Sequence, residues 1–273
     1  MQETLLEMGP EVVSIRHNKI SEDRLTLLLV HGLGDSGMTW ESVFSQPVAE
    51  KYNVIVLDLV GFGRSSKAKV DDGYTFTEHK RRLLECSNFF NVKDLLTIGH
   101  SMGGDLVTLL ADEDFTGRIK GVVNVEGALT QYDLFLSGKA VQAFNEGWFD
   151  DWWESFRSEK AWEWGRAPSG KEYFASLQFC RKEAFLQGAK DIVEWATRLD
   201  EPFQSEVGQK FAELKLPKLF CYGTESLPPE TLQFIRDNNL PARAFEGIGH
   251  CPHYDAAKEF WDHIQKFVTK IEG

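Results

Sequence analysis

The sequence predicts an α/β protein with a doubly wound, mostly parallel sheet. Short β-rich runs alternate along the chain with helical stretches, which is the pattern that such a domain requires. The β-rich runs in the middle of the chain are apolar without a period of two. Strands that are buried on both faces of a parallel sheet have this continuous apolar character.

The predicted strands follow one another at intervals that leave room for a helix between most of them. Their ranges are Val12–Arg16, Leu25–Val30, Asn53–Leu59, Leu95–Gly99, Gly121–Val125, Lys218–Tyr222 and Ala242–Phe245. Helices are predicted over Glu78–Phe90 and Ser101–Ala111. A last helix is predicted from apolar residues spaced as on one helical face, namely Ala257, Phe260, Trp261, Ile264, Val268 and Ile271.

One long segment breaks the alternation. From about Thr130 to Gln209 the patterns are helical and no clear strand is visible, and five of the eight Trp fall in Trp148–Trp164. We interpret this segment as a helical cap inserted into the sheet domain. The predicted organisation is a core over residues 1–129, a cap over 130–210 and the rest of the core over 211–273.

Charge and cysteine content exclude several classes of function. The 273 residues carry a net charge of −12, so the protein should repel nucleic-acid backbones and anionic membranes. The four Cys are scattered and suggest free thiols in a reducing compartment. The first ten residues do not resemble a secretory signal and no apolar run is long enough to span a membrane, so a cytoplasmic protein is expected.

A nucleophile motif follows the fourth predicted strand. Gly99-His100-Ser101-Met102-Gly103 is a G-x-S-x-G sequence between the apolar run Leu95–Ile98 and a helical stretch. A serine on a sharp strand-to-helix turn needs neighbours that have almost no side chain. The helix N-terminus and the backbone N–H of Met102 can then stabilise an oxyanion that forms beside Ser101.

Three further motifs occur in the order found in one family. Val30-His31-Gly32-Leu33-Gly34, Asp58–Ser65 and Gly247-Ile248-Gly249-His250 each follow a predicted strand. Together with the serine motif they resemble the α/β-hydrolase superfamily, with some resemblance to its haloalkane dehalogenase and esterase branch. The resemblance covers roughly residues 12–130 and 211–271. It implies Ser101 as nucleophile, His250 as general base and then acid, and the N–H groups of Leu33 and Met102 as the oxyanion hole.

Two other interpretations compete for these motifs. Gly32–Gly37 is also a literal G-x-G-x-x-G, and Asp58 follows 21 residues later, as in a dinucleotide-binding fold. A second glycine-rich turn that carries Ser101 has no role in hydride transfer, however. His250-Cys251-Pro252-His253 looks like a metal-binding tract, but Pro252 prevents a regular ligand-bearing helix there. We therefore predict no metal and no cofactor, and His253 is expected at the surface or behind His250.

The carboxylate that orients the histidine has two candidates. Most family members place it after the strand that corresponds to Lys218–Tyr222, where this chain has Glu225 one residue early and Ser226 at the matching position. Glu126 ends the strand Gly121–Val125, and haloalkane dehalogenases and some relatives resemble this arrangement. The sequence favours Glu126, because an unpaired carboxylate at a buried strand end would be costly.

The predicted function is that of a serine hydrolase that cleaves a carboxylic ester or lactone through an acyl-enzyme. Dehalogenases and epoxide hydrolases have Asp at the nucleophile position, whereas this chain has Ser101. The substrate is expected to be small, with a hydrophobic acyl or aromatic part that contacts aromatic side chains of 144–164 and of Tyr173, Phe174, Phe179 and Phe185. A ligand receptor or a lyase on the same scaffold remains the alternative.

Overall fold

The computed structural model describes residues 1–70, 72–163, 167–199 and 203–272. These residues form one eight-stranded sheet with helices on both faces. The strands, in chain order, are β1 (Gln2–Met8), β2 (Glu11–His17), β3 (Thr26–Val30), β4 (Asn53–Leu57), β5 (Leu95–His100), β6 (Ile119–Val125), β7 (Lys218–Gly223) and β8 (Ala242–Phe245). The predicted α/β fold class is confirmed.

The sheet order brings the carboxyl ends of six strands to one edge. The strands lie in the order β1-β2-β4-β3-β5-β6-β7-β8. β3 to β8 run parallel to one another, and β1 and β2 are antiparallel additions at one side. Loops that follow parallel strands meet at one edge, which is where ligands bind in open α/β sheets.

The central strands lack a period of two because each covers two separate cores. In β3, Leu28 and Val30 pack into one core, whereas Leu27 and Leu29 pack into the other. All four side chains are fully buried. At about 25 cal/mol for each Å² of apolar area removed from water, such strands contribute strongly to folding from both faces.

The helices fill the connections between strands. The α-helices are α1 (Val48–Lys51), α2 (Phe76–Phe89), α3 (Met102–Asp112), α4 (Phe135–Asn145), α5 (Phe149–Ser155), α6 (Ala161–Glu163), α7 (Pro168–Leu177), α8 (Lys182–Thr197), α9 (Glu206–Glu213), α10 (Pro229–Asp237), α11 (Pro252–Asp255) and α12 (Ala257–Glu272). Two 3₁₀ helices cover Gly37–Ser45 and Gln131–Asp133, and a π-helical turn covers Phe156–Lys160. None of the described helices is long and apolar enough to cross a membrane.

One strand, β1, is not predicted by the sequence patterns. β1 pairs with β2 from Gln2 opposite His17 to Met8 opposite Glu11. Most of its side chains are exposed because it is the edge strand, so it contains no buried apolar run that sequence inspection would find. The other strands lie within about two residues of their predicted limits. Between β6 and β7 the described residues form helices and no strand, as the patterns predict.

Candidate active site

Ser101 stands on a strained turn between β5 and α3. Its backbone has φ 51° and ψ −120°, a conformation that is rare for a residue with a side chain. The turn is held by the Ser101 N–H, which donates to the carbonyl of Val125 over 2.8 Å. A Cβ on Gly99 would lie 2.0 Å from the Gly103 carbonyl oxygen, and one on Gly103 would lie 2.4 Å from that of Val30. The glycines of the motif are therefore required by close backbone approach.

The predicted oxyanion donors lie beside this serine. Leu33 follows β3 and Met102 begins α3, and both line the same cavity as Ser101. A Cβ on Gly32 would lie 3.2 Å from the Ser101 Cβ, so the loop after β3 passes directly over Ser101. Within the described ranges, neither the Leu33 N–H nor the Met102 N–H donates to a protein acceptor. Both are thus available to an oxyanion, and the α3 dipole adds positive potential there.

His250 and Glu126 form a close pair. His250 Nδ1 lies 2.6 Å from Glu126 Oε2, and the carboxylate side chain is only 1% exposed. Burial lowers the pKa of His250, but the charge of Glu126 and the hydrogen bond to it outweigh burial, so the pKa is raised above its ordinary value. The hydrogen bond fixes the proton on Nδ1 and leaves Nε2 of a neutral His250 free to accept a proton.

Glu126 is held by the end of β7 and the turn that follows it. Its backbone has φ 55°, and its Oε1 accepts a hydrogen bond of 2.7 Å from the Gly223 N–H and another from the Ser226 hydroxyl. Ser226, which stands at the alternative position for the acid in the sequence analysis, therefore bonds to Glu126 instead. Glu225 is exposed, and its side chain makes no hydrogen bond or ion pair with any described residue.

The other histidines of the site have supporting positions. His100 Nε2 donates to the His250 carbonyl over 3.0 Å and so ties the serine turn to the histidine loop. His253 is fully buried against Trp40 and bonds to Thr39, so the alternative of a surface position is wrong. Burial lowers the pKa of His253 to about 3, so it stays neutral near pH 7. No group of three or more metal-ligating side chains is found among the described residues.

The glycine-rich loop Gly32–Gly37 is held in place by the buried side chain of Asp58. The Asp58 side chain is fully buried; its Oδ1 accepts from the Gly37 N–H at 2.7 Å and from Arg16 at 2.8 Å. Its Oδ2 accepts from the Arg64 N–H at 2.9 Å. Asp58 is therefore committed to holding the loop, whereas a dinucleotide fold needs this acid free to bind a ribose.

Ser101, His250 and Glu126 open onto a cavity of about 640 Å³. The apolar residues of its wall include Ala128, Phe135, Leu136, Ile192, Leu227 and Pro228. Of the aromatic residues predicted to line it, only Tyr173 does so among those described, and Trp164 lies outside the described residues. Most of the others do not line it because the helices of this segment turn their aromatic rings toward one another: Trp152 stacks on Phe156 at 5.0 Å, and Trp153 packs against Phe185 at 4.8 Å.

A buried carboxyl pair joins α7 to the loop after β3. Asp35 and Glu172 face each other, and the Ser176 hydroxyl lies 2.6 Å from Glu172 and 2.8 Å from the Ser36 hydroxyl. Burial raises the pKa of Asp35 to about 7. Burial and then the charge of Asp35 raise the pKa of Glu172 to about 9. The folded pair therefore retains protons that the unfolded chain releases near pH 4.

Stability should consequently fall as the pH rises. A carboxyl group whose pKa is raised in the folded state lowers the free energy of unfolding as the pH rises from its unfolded pKa to its folded pKa. This range runs from about pH 4 to about pH 7 for Asp35 and from about pH 4 to about pH 9 for Glu172. We expect Tm to fall by about 5 °C or more between pH 6 and pH 9. Glu172→Gln, which cannot ionise, should reduce this fall in Tm. Part of the fall should remain in the variant because burial also raises the pKa of Asp105 to about 8.

Calorimetry of both proteins at several pH values measures the effect. Glu213→Gln, which removes an exposed carboxylate, serves as the control and should keep the slope of the wild type. An unchanged slope in Glu172→Gln would contradict the assignment of the pair.

Comparison with known proteins identifies the family. Residues 26–182 match the alpha/beta hydrolase fold family, so the chain belongs to that family. Lipase 1 of Psychrobacter immobilis is 25% identical over 280 residues, with 98% of this chain and 84% of the lipase covered. Pimeloyl-[acyl-carrier protein] methyl ester esterase of Aliivibrio fischeri is 23% identical over 256 residues, which cover 89% of this chain and 93% of the esterase. The crystal structure of the enol-lactonase from Burkholderia xenovorans is 18% identical, has a TM-score of 0.74 and covers 97% of this chain and 100% of the lactonase.

Proposed function

We propose that the protein is a serine hydrolase that cleaves a carboxylic ester or lactone with a hydrophobic part through an acyl-enzyme. The observation that carries this proposal is the cavity in which a strained serine, a histidine paired with a buried carboxylate and two free backbone N–H groups meet. The esterase and lipase names among the relatives support a carboxylic ester hydrolase of the alpha/beta-hydrolase type. The scattered free cysteines favour a cytoplasmic location, which stays a prediction.

The first half of the proposed reaction forms the acyl-enzyme. His250 Nε2 takes the proton of the Ser101 hydroxyl as the oxygen attacks the ester carbonyl, and Glu126 stabilises the imidazolium. The carbonyl oxygen becomes negative and is bound by the N–H groups of Leu33 and Met102. When the tetrahedral intermediate collapses, the C–O bond of the ester breaks and His250 gives its proton to the leaving alcohol.

The second half regenerates the serine. Water attacks the acyl carbon, His250 removes its proton, and Ser101 leaves with that proton while the acid product departs. We also propose that the helices of residues 130–210 act as a cap over this reaction, because Phe135, Leu136, Tyr173 and Ile192 from this segment line the cavity. Apolar side chains in such positions are typical of ligand cavities.

An acyl-chain series tests the proposal. We expect kcat/KM for p-nitrophenyl esters to rise from acetate to longer acyl chains up to a limit, by about fourfold for each methylene, since each buried CH₂ contributes about 0.8 kcal/mol. Leu227→Trp, which adds bulk to the apolar lining, should move the optimum to shorter chains. Phe179→Trp is the control because Phe179 is 66% exposed and is not part of the cavity wall.

Two outcomes would contradict this proposal. A steady preference for acetate over every longer chain would contradict the hydrophobic substrate part. Binding of esters with no turnover, and no acyl adduct on Ser101 by mass spectrometry after a rapid quench, would instead indicate a receptor.

A further inference from the structure

The cavity wall carries an unusual distribution of charge. Its carboxyl groups are those of Asp35, Asp105, Glu126, Asp133, Glu225 and Asp255, and no Lys or Arg among the described residues lines it. Only Glu126 has a partner that can carry positive charge, namely His250. The other carboxyl groups have only neutral donors, or none, among the described residues. Asp133 accepts from the Thr231 hydroxyl at 2.7 Å, and Asp255 accepts from the Ser169 hydroxyl at 2.6 Å.

Two buried carboxylates elsewhere in the chain are neutralised by arginine. Asp58 pairs with Arg16 at 2.8 Å, and Glu11 pairs with Arg82 at 2.7 Å. Buried charges are normally paired in this way because an unpaired charge in a low-dielectric interior is costly. Apart from Glu126, the acids of the cavity wall have no such partner among the described residues, so each of them that ionises adds uncompensated negative charge to the cavity.

Asp105 has an acceptor that no described residue uses. The residue lies on the first turn of α3, is 1% exposed and lines the cavity. Its Oδ1 accepts from the Ala128 N–H at 2.8 Å, whereas its Oδ2 has no donor among the described residues. A buried carboxylate oxygen without a donor forfeits a charge-assisted hydrogen bond, and a ligand that enters the cavity can supply it.

The surroundings of Asp105 favour one kind of donor. Burial raises the pKa of Asp105 to about 8, and the charge of Asp133 acts in the same direction against the hydrogen bond from Ala128. A neutral donor would offset neither the cost of burying a charge on Asp105 nor its repulsion from Asp133, whereas a cation would offset both. Ala128 and Ile192 line the same cavity and offer apolar contact to the carbon stem of such a ligand.

We propose that the Asp105 side of the cavity is a subsite for a protonated amine, so that the protein prefers substrates that carry an ammonium group over neutral ones and rejects anionic ones. The substrate class, an ester or lactone that bears an amine, rests on the proposed hydrolase function. The ammonium subsite itself rests on the charges and on the free Oδ2 of Asp105.

A matched series of six-carbon ligands tests the subsite. Hexylammonium, 1-hexanol and hexanoate share one apolar chain and differ in charge, and calorimetric titration gives their Kd values at pH 8.5. We expect hexylammonium to bind at least about tenfold more tightly than 1-hexanol, and hexanoate to bind at least about tenfold more weakly. Equal Kd values for hexylammonium and 1-hexanol with the wild type would overturn the proposal without any variant.

Variants locate the effect. Asp105→Asn keeps an oxygen for the Ala128 N–H but removes the charge, so the preference for hexylammonium should shrink to less than about threefold while 1-hexanol changes by less than about twofold. Asp112→Asn, which removes an exposed carboxylate from the same helix, should retain the full preference. A preference that survives in Asp105→Asn would overturn the assignment to Asp105.

These titrations, together with hydrolysis assays on the wild type, separate this inference from the proposed function. If the protein hydrolyses p-nitrophenyl butanoate but shows no ammonium preference, the subsite is wrong and the hydrolase proposal stands. If hexylammonium is preferred but neither esters nor lactones are turned over, the subsite stands and the hydrolase proposal is wrong.

Discussion

Ser101→Ala should lower kcat for p-nitrophenyl ester hydrolysis by about 1000-fold or more and leave the fold intact. The variant removes the only atom that is proposed to form the acyl bond, so the remaining rate comes from binding and from the N–H groups of Leu33 and Met102. His250→Ala should cost about as much, because nucleophile and base act as one unit. Steady-state kinetics with a Tm measured for each variant provide the test.

The control for this prediction is His253. It stands three residues after His250 and is fully buried, but its ring bonds to Thr39 and packs against Trp40. His253→Asn should therefore lower Tm but leave the kcat of the protein that remains folded nearly unchanged. If His253→Asn, measured below its Tm, lost as much activity as His250→Ala, the assignment of the general base would be wrong.

Glu126→Gln should lower kcat/KM by about 100-fold or more, whereas Glu225→Gln should change it by less than about threefold. The amide keeps the shape of the side chain but cannot stabilise the imidazolium of His250. Glu225 is exposed and makes no side-chain bond with the described residues, so its charge has little effect on the ring. A larger loss in Glu225→Gln would reverse the assignment.

The pH profile distinguishes a role in catalysis from a structural one. The pKa of His250 is raised because Glu126 favours the charged ring. Catalysis needs the neutral ring, so kcat/KM of the wild type should rise with pH through a midpoint above 6.5, the ordinary value. Glu126→Gln removes the charge that stabilises the imidazolium, so its midpoint should move to lower pH. An unchanged midpoint would mean that Glu126 acts only in folding.

Residues close together in the chain account for what the sequence predicts well. The strands are visible because β3 to β6 are short apolar runs, and the serine turn is visible because Gly99 and Gly103 must stand beside Ser101. The edge strand β1 is not visible in this way because pairing with β2, rather than its own apolar content, makes it a strand. The aromatic residues near 150 are likewise numerous in the sequence, but only packing decides that they face one another.

The sequence by itself determines the α/β fold, the turn that presents Ser101 and the loop that carries His250, because local apolar runs and glycines specify them. Only the tertiary structure decides which carboxylate faces His250. Glu126 and Glu225 follow the neighbouring parallel strands β6 and β7, so both reach the same edge of the sheet. The left-handed backbone of Glu126 and its bonds to Gly223 and Ser226 direct that side chain to His250. These contacts join residues about 100 positions apart, and no spacing in the sequence encodes them.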